Sequence, residues 1–123
     1  MKRVIIDTNA LMAIADLKLN LFTEINATLD FPYQLFVLEG TIDELNKIIK
    51  EQRGKYKRAA KLILAILKAK NIGVIKEKGY VDHILVEHSK LGDLILTQDI
   101  ILKKKLTKPY LTIRQKKKVI LVR

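Results

Sequence analysis

Two carboxylates stand at the ends of short apolar runs. Asp7 follows Val4-Ile5-Ile6 and opens Asp7-Thr8-Asn9, and Asp99 follows Leu94-Ile95-Leu96 by way of Thr97-Gln98. A helical pattern comes after each, so each reads as an acid presented at the carboxyl end of a buried strand. In open α/β sheets that edge is where ligands bind. Two further acids fall at equivalent points. Glu44 is expected in the first turn of the helix after a second strand, and Asp82 in the first turn of the helix after a third. Four carboxylates on one edge resist full ionisation unless cations neutralise them. Oxygen donors of this kind suit Mg²⁺ or Mn²⁺ rather than zinc. A cation held there lowers the pKa of bound water and neutralises charge developing in an in-line displacement.

Each acid also has a plainer reading. Asp7 and Asp99 sit where helix N-caps sit. Thr41-Ile42-Asp43-Glu44 has capping-box spacing, with Thr41 as N-cap. Asp82 suits the positive end of a helix dipole. Their recurrence on one edge is what favours a site. Thr8, Asn9 and Thr97 are placed either to orient metal-bound water or to cap. Asp43 and Glu44 face different directions on a helix, so only one serves directly. His83 and His88 read as surface or partly buried residues rather than general bases. Tyr33, Tyr56, Tyr80 and Tyr110 read as core or rim positions, with base stacking as the alternative.

The elements that must position these residues alternate in period. Strands are expected over Lys2 to Ile6, Gln34 to Leu38 (closed by Gly40), Ile72 to Ile75 and Leu94 to Thr97, with late strands over Pro109 to Ile113 and Val119 to Val122. Helical spacing covers Thr8 to Ala15, Asn20 to Leu29, a helix begun at Thr41, Lys55 to Lys70, Val81 to Leu91 and Ile100 to Leu106. Strands separated by helices imply parallel pairing and a layered α/β domain, expected to be a single unit over residues 1–123.

Composition narrows the partner. The net charge is +11, from 24 Lys and Arg against 13 Asp and Glu. No acid follows Asp99, while Lys103, Lys104, Lys105, Lys108, Arg114, Lys116, Lys117, Lys118 and Arg123 do. A second basic group comprises Arg53, Lys55, Lys57, Arg58 and Lys61. A polyanion held through its phosphates fits this distribution better than a solvated surface does. The chain has no Cys, which excludes disulfides, thiolate metal sites and a Cys nucleophile. There is no apolar run long enough for a membrane span or a signal peptide, so a cytoplasmic protein without membrane contact is the expectation.

Four segments carry a resemblance. Val4-Ile5-Ile6-Asp7-Thr8-Asn9, Thr41-Ile42-Asp43-Glu44-Leu45, Tyr80-Val81-Asp82-His83-Ile84-Leu85 and Leu96-Thr97-Gln98-Asp99 occur in the order and spacing of the PIN domain motifs. The chain resembles that family from Lys2 to Val122. Its tail, Ile113-Arg114-Gln115-Lys116-Lys117-Lys118, is similar to an archaeal single-domain branch akin to the PIN nucleases of ribosomal RNA processing. Relatives in that branch often carry two adjacent Asp in the third motif. Here the second position is His83, and the ligand is assigned to Asp82.

The resemblance implies a three-layer α/β/α sandwich on a mainly parallel sheet of strand order 3-2-1-4-5, with Asp7 and Asp99 as neighbours. It implies an endoribonuclease in which Asp7, Glu44, Asp82 and Asp99 hold Mg²⁺ or Mn²⁺, leaving a 5′-phosphate and a 3′-hydroxyl. Arg53, Lys55, Lys57, Arg58, Lys103, Lys104, Lys105, Arg114 and Lys116 to Lys118 would hold the RNA backbone. Ribosomal RNA processing or RNA turnover is the expected role. The alternatives are a catalytically impaired RNA-binding module of ribosome biogenesis, or a toxin ribonuclease paired with an antitoxin. The implied partners beyond RNA are a second copy of the chain and an antitoxin or a ribosome-assembly factor.

Overall fold

In the computed structural model, which describes Met1–Arg123, the first apolar run is buried on both faces. Val4 and Ile6 point to one side of β1 (Lys2–Ile6) and Ile5 to the other, and all three are inaccessible to solvent. A strand covered on both sides is central, with helices above and below. The remaining strands are β2 (Tyr33–Leu38), β3 (Gly73–Ile75), β4 (Leu94–Leu96), β5 (Tyr110–Arg114) and β6 (Lys118–Val122). Their order is β3-β2-β1-β4-β5-β6. All pairs are parallel except β5 with β6. The expected order is therefore present and is extended by one antiparallel strand, joined by a tight basic turn. Gln115 and Lys116 adopt φ 56 and 59 in that turn.

One layer holds α1 (Thr8–Asp16), α2 (Leu21–Thr28), α3 (Glu39–Glu51) and α4 (Lys55–Ala69). It packs on Val4, Ile6, Val37, Leu94, Leu96 and Leu111 through Leu11, Leu21, Ile25, Leu45, Ala60 and Ile63. The other layer holds α5 (Val81–Lys90) and α6 (Ile100–Lys105), which cover Ile5, Leu38 and Ile95 through Ile84, Leu85 and Leu102. No helix is long and apolar enough to cross a membrane.

The start of α3 corrects the sequence reading. The helix begins at Glu39 with Leu38 as N-cap and no side-chain cap bond. Gly40 thus lies inside the helix instead of closing a strand. Thr41 is no cap but a buried residue at 1% exposure, and Glu44 stands beyond the first turn. Packing overrides the local signal, because the Thr41 hydroxyl is turned toward Thr8 in the interior.

β1 and β4 are neighbours although chain order leaves them far apart. The crossovers from them run in opposite directions, which opens a crevice at their carboxyl ends.

Candidate metal and nucleic-acid site

Asp7 is the first residue past β1 and Thr97 the first past β4. The Asp7 amide donates to Leu96 O at 2.9 Å, and the Thr97 amide to Leu111 O at 3.1 Å, so the two side chains emerge together. Thr97 is fully buried, and its hydroxyl donates to Asp7 Oδ2 at 2.8 Å. The Thr97 hydroxyl oxygen in turn accepts the Asp99 amide at 3.1 Å. The residue beside Asp7 is therefore Thr97, and Asp99 is joined to Asp7 through that hydroxyl.

Asp7 and Asp99 both cap helices. Asp7 Oδ1 accepts the Thr8 amide at 2.9 Å at the head of α1. Asp99 Oδ1 accepts the amides of Ile101 at 2.9 Å and Leu102 at 3.1 Å at the head of α6, leaving its second oxygen without a protein partner. Capping and ligation are compatible, since a carboxylate has two oxygens and several lone pairs.

Thr8 extends the network to Glu44, donating from Oγ1 to Glu44 Oε1 at 3.0 Å, with Thr41 Oγ1 at 3.3 Å. Asn9 ties the two turns together. Its Oδ1 accepts the Gln98 amide at 3.0 Å, and its backbone carbonyl accepts from Gln98 Nε2 at 3.3 Å. Thr8, Asn9 and Thr97 thus serve as orienting residues within the protein framework. Thr41 and Gln98 belong to the same network, a part that the sequence reading does not give them. Thr41 was misread as a cap, while a polar residue in a turn directly after a buried strand was the available signal for Gln98.

Asp82 reaches this edge because α3 and α5 meet at their amino ends. A methyl group at Gly40 would lie 2.6 Å from Val81 Cγ2, so any side chain there would force Val81 to move. The resulting field is felt at Asp7, which is 7% exposed. Burial pushes its carboxyl above the ordinary value. The Thr97 and Thr8 hydrogen bonds oppose that rise, and the charges of Asp82 and Glu44 add to it. Glu44 and Asp82 are exposed. No three acidic or imidazole groups close on a single point. The arrangement is an acidic edge whose buried member is destabilised by its neighbours, a condition that a hard cation relieves.

The basic groups flank this edge. Because β5 runs parallel to β4, the β5–β6 turn with Arg114, Lys116, Lys117 and Lys118 lies at the carboxyl end of the sheet. α3 leaves from the carboxyl end of β2 and α4 returns to the start of β3, so Arg53, Lys55, Lys57 and Arg58 project past the same end on the other flank. Lys104 and Lys105 are exposed, whereas Lys103 is half-buried with Nζ donating to Thr112 Oγ1 at 3.3 Å.

His88 is 6% exposed and belongs to a separate ionic tie. Its Nε2 lies 2.6 Å from Glu77 Oε1 and its Nδ1 2.9 Å from Asp93 Oδ2. The Arg3 guanidinium lies 2.8 Å from Asp93 and 5.4 Å from the centre of the Phe36 ring. Burial opposes the charge on Asp93, but Arg3 and His88 outweigh it and hold the carboxyl below its ordinary value. Of the tyrosines, Tyr33 and Tyr110 are half-buried, while Tyr56 is 49% and Tyr80 84% exposed.

Comparison with known proteins agrees with this architecture. The family described as a PIN like domain matches residues 4–117. The chain is 28% identical over 123 residues to Ribonuclease VapC4 of Methanocaldococcus jannaschii, covering 95% of this chain and 94% of that protein. It superposes on the solved structure of the PIN domain endonuclease Utp24 with a TM-score of 0.76, at 23% identity over 97% of this chain and 90% of the other. A domain of a functionally unknown protein from Methanocaldococcus jannaschii aligns with a TM-score of 0.58, at 20% identity over 85% of this chain and 83% of that one. At these identities the structural matches establish a shared fold.

Proposed function

The chain belongs to the PIN-like domain family, and from that premise we propose that it is a divalent-metal-dependent endoribonuclease. The observation that carries the reading is Asp7, an acid buried between Thr97 and Thr8 whose charge is opposed by Asp82 and Glu44. The likeness to Ribonuclease VapC4 supports RNA as the substrate.

The residues present fit Mg²⁺ or Mn²⁺. All the donors are carboxylate oxygens, the hard ligands that these ions take together with water. Asp7, with Asp99, Glu44 and Asp82, would hold it directly or through water. When bound, the ion supplies a low-pKa water and compensates charge in the displacement. The Thr97 hydroxyl fixes one Asp7 oxygen, and the Thr8 amide fixes the other. Thr8 also aims Glu44 at the same edge. The flanking lysines and arginines hold phosphates and confer little sequence choice.

We place this activity in ribosomal RNA processing or RNA turnover in the cytoplasm, a role that the basic β5–β6 turn beside the acids supports. A toxin would need a partner occluding the acidic edge. The experiment is cleavage of structured and single-stranded RNA with added Mn²⁺. The wild type cuts to leave 5′-phosphate ends, Asp7→Asn loses at least about a hundredfold in rate, and chelator abolishes cutting. Equal activity of Asp7→Asn, or cutting in excess chelator, rejects the mechanism.

A further inference from the structure

Tyr80 is the one aromatic residue that stands almost wholly in solvent beside the acidic edge, at 84% exposure. Its placement is not that of a loose loop. Its carbonyl accepts the Ile84 amide at 3.0 Å, making it the N-cap of α5. The preceding Gly79 adopts φ 132, a conformation that L side chains rarely take, and turns the chain into the helix. The ring is therefore held out at a fixed root.

Against it lies a depression of about 290 Å³ lined by Tyr80, Asp82, His83, Val86 and Lys105. Its size is at the small end of ligand pockets, room for one planar heterocycle and not for a folded strand. The lining is mixed in a particular way. Tyr80 offers a π-face, Val86 an apolar contact, His83 an imidazole at the wall and Lys105 an ammonium. Asp82 lines the depression and its charge also bears on Asp7, so the depression adjoins the acidic edge. An aromatic platform paired with a cation, in a basic protein, has the chemistry that takes unpaired nucleotides.

We propose that Tyr80, His83, Val86 and Lys105 form a nucleobase subsite that admits one unpaired nucleotide next to the scissile phosphate. The base stacks on Tyr80 and Lys105 contacts the adjoining phosphate. A base inside a duplex is unavailable to such a slot, so the subsite selects single-stranded segments. The proposal deepens the ribonuclease reading and rests on it for the position of the scissile phosphate.

The test measures binding apart from catalysis. The Asp7→Asn protein, in chelator, is titrated with a fluorescein-labelled single-stranded oligoribonucleotide, with the same strand carrying one abasic position scanned along it, and with its duplex. Adding Tyr80→Ala weakens single-strand binding about tenfold, while Tyr80→Phe stays within about twofold. Duplex binding does not change. One abasic position weakens binding when Tyr80 is present and has no further effect in the Tyr80→Ala background, a coupling that a merely structural residue does not produce. Equal single-strand affinity of the Ala and Tyr forms, or an abasic loss of the same size in both backgrounds, overturns the subsite. Failure of the wild type to cut RNA with Mn²⁺, while the coupling is present, rejects the nuclease reading and leaves the subsite standing. Cutting without coupling does the reverse.

Discussion

Asp7 is ionisable at a place where ionisation is unfavourable. Burial and the charges of Asp82 and Glu44 hold its carboxyl above the ordinary value despite two hydrogen bonds. A raised acid adds no cost to folding below the ordinary carboxylate range and destabilises the fold as pH rises through its native pKa. Asp7→Asn is isosteric and keeps an acceptor for the Thr8 amide. In chelator at pH 7 it should raise stability by about 1 kcal/mol, roughly 4 °C in Tm. That gap should close on acidification, which a pH series of thermal melts would show. A variant less stable than wild type at neutral pH would mean that the Thr97 bond outweighs the repulsion. The positions of Asp7 and Asp99 past the ends of β1 and β4 were legible in sequence, because an acid at or just beyond the end of an apolar run is a local pattern. The hub between them, Thr97, reads from sequence only as a supporting residue, since its partners lie 90 and 2 residues away and only the β1–β4 pairing brings them together.

Among the elements, β1, β4 and α5 with the segment before it are tied at a distance from the acids by Arg3, Asp93, His88 and Glu77. Each of these elements carries a residue of the candidate site at its other end: Asp7, Thr97 and Asp82. Asp93 is held below its ordinary value, so its contribution is complete above the ordinary carboxylate range and is lost as pH falls through the depressed native pKa. Asp93→Asn leaves Arg3 and His88 without their shared anion and should cost about 2 kcal/mol at pH 7. In urea titrations that difference should narrow as the pH is lowered into the acid range. A constant difference at every pH would assign the loss to packing instead of charge. None of this tie was visible in sequence, where His88 read as a lone surface or half-buried imidazole. Element order was legible because apolar runs of period two and of helical spacing alternate along the chain. The start of α3 was misread because the close approach of Gly40 to Val81 and the burial of Thr41 are contacts between distant segments.

At the scale of the whole molecule, a net charge of +11 surrounds a small negative edge. Association with RNA should be steered by this field and weakened by salt. Replacing Lys116, Lys117 and Lys118 together by Gln should lower the slope of log Kd against log salt by about 2 for single strands. Cleavage at saturating RNA should be unchanged. An unaltered slope would remove the β5–β6 turn from the RNA path. The layered architecture was legible from the alternation of elements, and the antiparallel sixth strand was the part of the sheet that order alone did not fix.

The two margins of the sheet differ, with a consequence for how copies of the protein meet in concentrated solution. β6 is sheltered by α2, with Thr28 Oγ1 donating to the Val119 carbonyl at 2.6 Å. β3 has no such cover, and Val74 on it is 44% exposed. An open strand margin is a template for foreign strands and for aggregation. Here the template spans three residues, and Lys76 and Lys78 follow it, with Glu77 between them engaged by His88. A strand added there would form few ladder bonds and would meet like charge on another copy. Resistance to stacking thus rests on brevity and two ammonium groups, and it is most exposed to changes that lengthen β3 or neutralise those lysines.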